Sequence, residues 1–373
     1  MTSTVKQLTE PPLRAPETAE DACKILDDCE AFYGASRRFV QENQRALKNN
    51  DWRALETMML DGGLFSKEGI GGIVADYRVW RPGVKTRLSV LLCKEDKQAI
   101  PFPFDFTALK KRYGTVEYMP IIPIRMIFSS GNIGGEEGEL FIVPTAWKKM
   151  PRLANAPPFL DIEAQTGRMC RRTGNHHWTS ILDENIAYIV QALLADSAAY
   201  RRALYWEYSL HEYGHACGKF AENIAIISSK MEYAAFEEWR SDGIMAQIVR
   251  LHLEKGIITP VEARNILISN FMTRFGVDIT RQHARLDHDF ISAYYAMRGF
   301  LKSGVVTLNE GLMRVKRGNP ESPDFWLSLY GVQAEGGEKA TGIANPFGAI
   351  EKFLPSDDYH LQEFQSFAHR RKS

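Results

Sequence analysis

The sequence predicts an α+β protein with a mixed N-terminal half and a mostly helical C-terminal half. Two observations support this fold class. Apolar residues recur at three- and four-residue spacing through most of the chain after residue 183, and short β-branched segments flanked by glycine and proline lie between 74 and 145. A length of 373 residues is enough for roughly two domains. We therefore expect a flexible lead at 1–17, a mixed half at 18–180 and a helical half at 181–373.

The N-terminal half is expected to combine a helical segment with a short, mainly antiparallel sheet. Helical periodicity runs through residues 18–60. Pro120 and Pro123 interrupt one of the strand-like segments, which indicates an edge strand or a bulge, because proline cannot donate a ladder hydrogen bond. Residues 146–182 are rich in proline and are predicted to be mostly loop. The strands are predicted at 84–92, 118–128 and 140–143.

The C-terminal half is expected to consist of long helices. After these runs, a stretch rich in glycine and proline at 318–348 precedes a short polar C-terminal helix. The helical periodicity covers 183–228, 230–255, 260–273 and 279–303.

The charge and cysteine content limit the classes of function. Lysine plus arginine and aspartate plus glutamate both number 46, so the formal net charge is zero. Proteins that coat nucleic acid or anionic lipid need excess positive charge, so we expect neither as a partner. The five cysteines form no C-x-x-C pair, and no apolar run reaches membrane-spanning length. These features predict a cytoplasmic protein without membrane contact.

One motif carries clear chemical information: His211-Glu212-Tyr213-Gly214-His215. On a helix, residues four apart lie on the same face, so His211 and His215 can bind one ion. Neutral imidazoles suit Zn²⁺, and the glutamate beside the first histidine is the general-base position of H-E-x-x-H metallohydrolases. Gly214 is costly inside a helix, which predicts either a close approach to a neighbouring helix or room for substrate.

A second motif supplies a third ligand. Glu238 lies 23 residues after His215 in the next helical run, far enough along the chain for a helical hairpin to bring it back to the histidines. Asp242, one turn beyond Glu238, is predicted to accept the free N–H of a ligand histidine, most plausibly His211. Glu237 is expected to be a neighbour on the solvent side or in contact with a ligand.

These two motifs resemble those of the dipeptidyl peptidase III family of zinc metallopeptidases, a gluzincin type. Residues 211–220 resemble its H-E-L-L-G-H-G-S-G-K stretch, and residues 236–242 are similar to its Y-E-E-C-R-A-E stretch. The family carries one more residue between its histidines. The resemblance covers roughly 200–310 and implies that His211, His215 and Glu238 bind zinc and that Glu212 is the base.

The resemblance also suggests residues that contact the substrate. His288 opens a helix that is followed by Gly304-Val305-Val306-Thr307-Leu308, similar to an A-G-x-G-L-V-T-I segment of the family. His288 therefore falls on the family's transition-state-stabilising histidine, with His283 as the alternative. Tyr295 and Arg298 are further candidates for substrate binding, although helical tyrosines and arginines more often have structural roles.

The sequence favours a zinc-dependent hydrolase, a metallopeptidase or amidase. In this reading Glu212 deprotonates a zinc-bound water and later protonates the leaving amine. The expected substrate is a short peptide, held between the two halves. An alternative keeps the zinc site but acts on a small molecule, as a lyase, decarboxylase or tailoring enzyme. A purely structural zinc site is disfavoured, because such a site has no need of Glu212 beside its ligand.

Overall fold

The computed structural model has an α+β architecture. The predicted lead at 1–17, the helix at 18–60 and His283 lie outside the described residues. The chain divides into two compact units. One is Met1–Ala99 with Ile122–Gln165, and the other is Ile100–Ile121 with Thr166–Ser373. The predicted limits 18–180 and 181–373 stay predictions. The described ranges are 73–78, 87–95, 103–104, 106–114, 121–129, 140–141, 159–172, 175–227, 230–277, 288–310 and 312–353.

The first unit contains a five-stranded sheet in the order β1-β2-β3-β5-β4. Only the pairing of β3 with β5 is parallel, and the other pairings are antiparallel. The strands are β1 (Ile73–Arg78), β2 (Arg87–Glu95), β3 (Ile122–Ser129), β4 (Leu140–Phe141) and β5 (Phe159–Asp161).

The prediction of an edge strand around Pro120 and Pro123 was wrong, because β3 lies between two neighbours. Pro123 is tolerated near the start of β3, where only the parallel partner β5 is paired, at Leu160. Pairing with β2 begins one residue later, at Ile124. An irregularity in the ladder does occur, between Leu92 and Cys93 of β2.

The second unit is helical, with a β-hairpin formed by β6 (Val306–Asn309) and β7 (Leu312–Val315). Its helices include part of 146–182, which the sequence led us to expect as mostly loop, and part of the glycine- and proline-rich stretch 318–348. The helices are α1 (Phe106–Tyr113), α2 (Ile162–Arg172, which begins in the first unit), α3 (Asn175–Ile181), α4 (Glu184–Ala195), α5 (Ser197–His215), α6 (Gly218–Ile227), α7 (Met231–Glu254), α8 (Pro260–Met272), α9 (His288–Ser303), α10 (Pro323–Leu329), α11 (Gly331–Thr341) and α12 (Pro346–Phe353).

The predicted run at 183–228 is three helices rather than one. Asp196 separates α4 from α5, since its side chain accepts a hydrogen bond from the backbone N–H of Ala199 and caps α5. The helical ladder breaks again after His215, and α6 begins at Gly218. Both breaks matter for the site, because they fix where α5 begins and ends.

The centre of the second unit is α7, which packs against α5, α9 and α11. Most of its side chains are buried, including Arg240 and Asp242. The helix α8 begins with a capping box formed by Thr259 and Glu262 and ends in a π-helical turn at Thr273–Val277. In the described part of the chain, no helix is both long enough and apolar enough to cross a membrane.

Candidate metal centre

The site is built where the C-terminal turns of α5 meet the middle of α7, both in the second unit. Nε2 of His211 lies 3.0 Å from Nε2 of His215. A carboxylate of α7 completes the group, since Oε2 of Glu238 is 3.1 Å from Nε2 of His211 and Oε1 is 3.5 Å from Nε2 of His215. The structure therefore brings together the three residues that the sequence predicted as ligands, and they form a group able to hold a metal ion.

These distances fit the coordination of zinc. Ligand nitrogens and oxygens about 2.0–2.1 Å from a tetrahedral ion lie about 3.3 Å from one another. The three separations in this group, 3.0, 3.1 and 3.5 Å, lie around that value. The side chains of His215 and Glu238 are 18% and 20% exposed, so the group is not sealed from solvent.

Each histidine presents its other ring nitrogen to a buried carboxylate. Nδ1 of His211 lies 2.7 Å from Oδ1 of Asp242, and Nδ1 of His215 lies 3.1 Å from Oε1 of Glu237. A carboxylate at Nδ1 favours the tautomer with its proton there. The lone pairs of both Nε2 atoms then face each other and Glu238, an arrangement that a cation would stabilise.

Two buried arginines hold these carboxylates. Arg274, on the π-helical turn, donates from Nε to Oδ2 of Asp242 at 2.7 Å and from Nη2 to Oε2 of Glu238 at 3.2 Å. Arg240 donates from Nε to Oε2 of Glu237 at 2.8 Å and from Nη2 to its Oε1 at 2.5 Å. Three carboxylates and two guanidinium groups leave one net negative charge, which suits a divalent cation.

The protonation equilibria reflect this charge arrangement. Burial opposes ionisation of Asp242, but Arg274 and His211 outweigh it and lower the pKa of Asp242 to about 2. Burial likewise opposes ionisation of Glu238, but the two histidines and Arg274 hold the pKa of Glu238 well below its usual range. Against the effect of burial, Asp242 and Glu238 raise the pKa of His211 well above its ordinary value. Positive charge between the rings is therefore favoured.

Glu212 lies on α5 between the two histidines and is partly exposed. Burial raises the pKa of Glu212, while His215 and His211 act in the opposite direction. A carboxylate with a raised pKa is a better base near neutral pH. Its place beside the ligands is the one that the sequence predicted.

The remaining predicted residues lie on α9. His288 is 46% exposed, and its ring lies beside Asp289, with 3.3 Å between Nε2 and Oδ1. Ligand atoms of Glu238, His288 and Asp289 lie within 4.8 Å of one another. The guanidinium of Arg274 is 4.0 Å from Asp289, so its charge opposes a second cation at this group. Tyr295 and Arg298 are 7% and 3% exposed, and their contact with substrate stays a prediction.

Sequence reasoning missed the two arginines. Arg240 had a local signal, because Glu237 and Arg240 lie three residues apart on one helix. Arg274 had none, since it lies 32 residues from Asp242 on a π-helical turn. Glu237 is buried, 2% exposed, and contacts His215, so it does not lie on the solvent side.

Comparison with known proteins adds two findings. Residues 17–163 match the model of a family described as a family of unknown function, DUF6014. No curated protein matches the sequence. Among solved structures, dipeptidyl peptidase III from Caldithrix abyssi is similar in fold, with a TM-score of 0.53, 14% sequence identity, and coverage of 94% of this chain and 68% of that chain.

Proposed function

We propose that this protein is a zinc-dependent hydrolase, a metallopeptidase or amidase that cleaves short peptides. The observation that carries the proposal is the convergence of His211, His215 and Glu238, with Glu212 between the two histidines. A structural zinc site needs only ligands, whereas this group keeps an exposed side and a carboxylate with a raised pKa beside it. The similarity in fold to a dipeptidyl peptidase III supports the same class of reaction.

The donor set fits zinc by its chemistry as well as its spacing. Two imidazoles and one carboxylate are a ligand set found in catalytic zinc sites, in which a fourth position stays open to water or substrate. His211, His215 and Glu238 would hold the ion, and Asp242 and Glu237 would fix the tautomers of the two rings. When bound, zinc supplies Lewis acidity, which polarises a carbonyl group and makes water a better nucleophile near neutral pH.

Glu212 would move the proton. As a carboxylate it accepts the proton of the attacking water, and as the acid it passes that proton to the leaving nitrogen. Burial raises its pKa toward the range in which both steps are possible. We assign to His288 the hydrogen bond to the oxyanion, and the proposal is supported by a ring nitrogen of His288 that lies within 4.8 Å of a carboxylate oxygen of Glu238. Tyr295 and Arg298 complete the proposed substrate contacts.

Metal content tests the first part of the proposal. Purified wild-type protein should contain about one zinc per chain, as expected for three ligands on one ion. The Glu238→Ala variant should lose most of this zinc, because two histidines without the third ligand bind the ion weakly. Glu222→Gln is a matched control, since Glu222 is exposed on α6 and pairs only with Lys219 among the described contacts. Wild-type protein without near-stoichiometric zinc would contradict the proposal.

A peptide library tests the reaction. Wild-type protein should cleave members of the library, and Glu212→Gln should reduce the rate about 100-fold or more, because it removes the base. The Glu222→Gln protein should cleave at the wild-type rate. Zinc binding by Glu212→Gln should persist, which would separate the loss of the base from the loss of the site.

A second candidate is a zinc-dependent enzyme for a small molecule, a lyase, decarboxylase or tailoring enzyme. It keeps the same three proposed ligands and the same base, and it differs in the substrate and the reaction. A zinc-loaded protein without Glu212-dependent peptide cleavage would favour this candidate over the peptidase.

A further inference from the structure

A buried amide connects the metal centre to two side chains that have no place in the proposed reaction. Asn270, on α8, is 1% exposed. Its Nδ2 donates to Oδ1 of Asp242 at 2.9 Å and to Oε1 of Glu207 at 3.0 Å. Its Oδ1 accepts a hydrogen bond from the hydroxyl of Tyr330 at 2.8 Å. Both N–H groups and the carbonyl of this amide are therefore engaged, with partners on α5, on α7 and at the junction of α10 and α11.

These contacts permit only one orientation of the amide. Rotating the amide by 180° would place its oxygen against Oδ1 of Asp242, an acceptor in a carboxylate to which Arg274 donates at both oxygens. The same rotation would turn its N–H groups toward the hydroxyl of Tyr330, which could then donate only to the carbonyl oxygen of Leu267, 3.2 Å away, so the contact with Asp242 decides the orientation. A donor is thus held against Oδ1 of Asp242, the same oxygen that faces Nδ1 of His211.

Glu207 is the unusual member of this group. It lies one turn before His211 on α5, and it is 2% exposed. Burial is the main cause that raises the pKa of Glu207 to about 8, with Asp242 acting in the same direction and His211, Asn270 and Arg274 opposing it. Its Oε2 has no hydrogen-bond partner among the described residues, which would be costly for an ionised carboxylate. A neutral acid can accept from Asn270 through Oε1 without adding negative charge.

We infer that Asn270 is a positioning residue of the metal centre. It fixes the carboxylate of Asp242, which in turn orients the ring of His211, while Glu207 and Tyr330 fix Asn270. The inference rests on the proposed function, in which His211 binds the metal. It assigns Glu207 the role of a neutral hydrogen-bond acceptor rather than that of a charge near the ion.

The test measures the zinc dissociation constant of the full-length protein by competition with a chromophoric chelator. Asn270→Asp keeps the shape but replaces the donor to Asp242 with an oxygen, and zinc should bind about 10- to 100-fold more weakly. Asn265→Asp is the matched control on the same helix. Asn265 is also buried, and among the described contacts its side chain only accepts from Arg264, which aspartate can do equally well, so zinc affinity should not change.

A second pair of variants separates positioning from folding and from charge. Glu207→Leu removes the acceptor and should weaken zinc binding, whereas Glu207→Gln restores an acceptor oxygen and should bind zinc like the wild type. Tyr330→Phe removes one hydroxyl and should cause a smaller loss than Asn270→Asp. The thermal unfolding midpoint of each metal-free protein shows whether the variant is folded, and the visible spectrum of its cobalt(II)-substituted form should change when the ring of His211 is reoriented.

The outcomes distinguish the two proposals. If the wild type does not bind zinc, the proposed function fails and the inference fails with it. Suppose instead that the wild type binds zinc and three variants bind it equally well: Asn270→Asp, Glu207→Leu and Tyr330→Phe. In that case only the positioning role is overturned. Glu207→Gln binding as weakly as Glu207→Leu would also overturn it, because a charge would then be what matters. If Asn270→Asp does not fold, the comparison of Glu207→Gln with Glu207→Leu decides.

Discussion

Arg274 and Asp242 form a two-point ion pair, and Oδ1 of the same carboxylate faces Nδ1 of His211. Nε of Arg274 lies 2.7 Å from Oδ2 of Asp242, and Nη2 lies 3.1 Å from Oδ1. A planar guanidinium bonded at two points holds the plane of the carboxylate as well as its position. The π-helical turn that carries Arg274 is anchored by Phe275. The centroid of its ring lies 4.8 Å from the ring centroid of Phe271 and 5.7 Å from that of Phe300. The orientation of His211 therefore depends on packing outside the metal ligands.

The Asp242→Asn variant should weaken zinc binding about 10- to 100-fold, because an amide no longer offers His211 and Arg274 two ionised oxygens. The measurement is the zinc dissociation constant in competition with a chromophoric chelator. Asp196→Asn is the control, because asparagine caps a helix as well as aspartate does and zinc affinity should stay at the wild-type value. An Asp242→Asn protein that binds zinc like the wild type would show that this carboxylate is dispensable.

The Arg240→Ala variant should lose about 3–5 kcal/mol of unfolding free energy, since it leaves the buried carboxylate of Glu237 without its guanidinium partner and with only His215 beside it among the described residues. Arg240 also donates to the carbonyl of Gly214 and to Thr341, so α5 and α11 lose a shared contact. Urea unfolding of the metal-free protein measures the change. Arg202→Ala is the control, because Arg202 forms an exposed pair with Glu262 at 3.7 Å, and it should cost less than about 1 kcal/mol. Equal losses in the two variants would refute the argument.

The sequence predicted the three proposed ligands because their arrangement follows from helical geometry. His211 and His215 need only one helix, and Glu238 needs only that a later helix returns to them, which α7 does after the short helix α6. Asp242 follows from Glu238 by one turn of the same helix. Periodicity and the return of a later helix were enough to predict these residues, although α6 lies between the two helices in the chain.

The outer part of the site was not predictable in this way. Asn270 and Arg274 contact Asp242 from 28 and 32 residues away, across the packing of α7 and α8. The direction of Arg274 also depends on a π-helical turn, which hydrophobic periodicity does not indicate. Side-chain contacts between helices are fixed by tertiary packing, so a single sequence did not reveal them.

The segment 318–348 shows that a high glycine content is compatible with helices. Gly336 and Gly337 lie inside α11 rather than in a loop. A Cβ atom at Gly336 would lie 2.5 Å from the ring of Trp239, and one at Gly337 would lie 2.8 Å from the carbonyl oxygen of Arg240. These glycines permit α11 to pack closely on α7. The same composition is typical of turns, and only the packing distinguishes the two.

The Gly214→Ala variant should lower both stability and zinc affinity. A Cβ atom at Gly214 would lie 2.8 Å from the carbonyl oxygen of Ser241, so α5 and α7, which carry the ligands, would have to move apart. The expected cost is about 1–3 kcal/mol of unfolding free energy. Gly299→Ala is the control. That position in α9 has no atom within 4 Å of the new methyl group, so alanine should raise stability by up to about 1 kcal/mol. A Gly214→Ala protein as stable as Gly299→Ala would contradict the close approach.

Burial of Glu207 predicts a stability that falls as the pH rises. Its pKa is raised to about 8 in the folded protein, chiefly by burial, against about 4.3 in an unfolded chain. Between these values the unfolded state loses the proton and the folded state keeps it, so the unfolded state binds fewer protons. As the pH rises between these two values, the ionisation of Glu207 therefore lowers the free energy of unfolding by up to about 1.4 kcal/mol per pH unit.

The Glu207→Gln variant removes that dependence, because glutamine does not titrate. The difference in unfolding free energy between variant and wild type should shift in favour of the variant from pH 5 to pH 8, by up to about 1.4 kcal/mol per unit. The extra N–H group of glutamine can change the unfolding free energy, but by the same amount at every pH. The informative quantity is therefore the slope of the difference in unfolding free energy against pH. Urea unfolding of the metal-free proteins at several pH values measures it, with the exposed Glu222→Gln as the control, which keeps Glu207 and should follow the wild-type profile. Parallel profiles for Glu207→Gln and the wild type would mean that Glu207 is ionised in the folded protein, and that the buried acid beside Asn270 carries a charge.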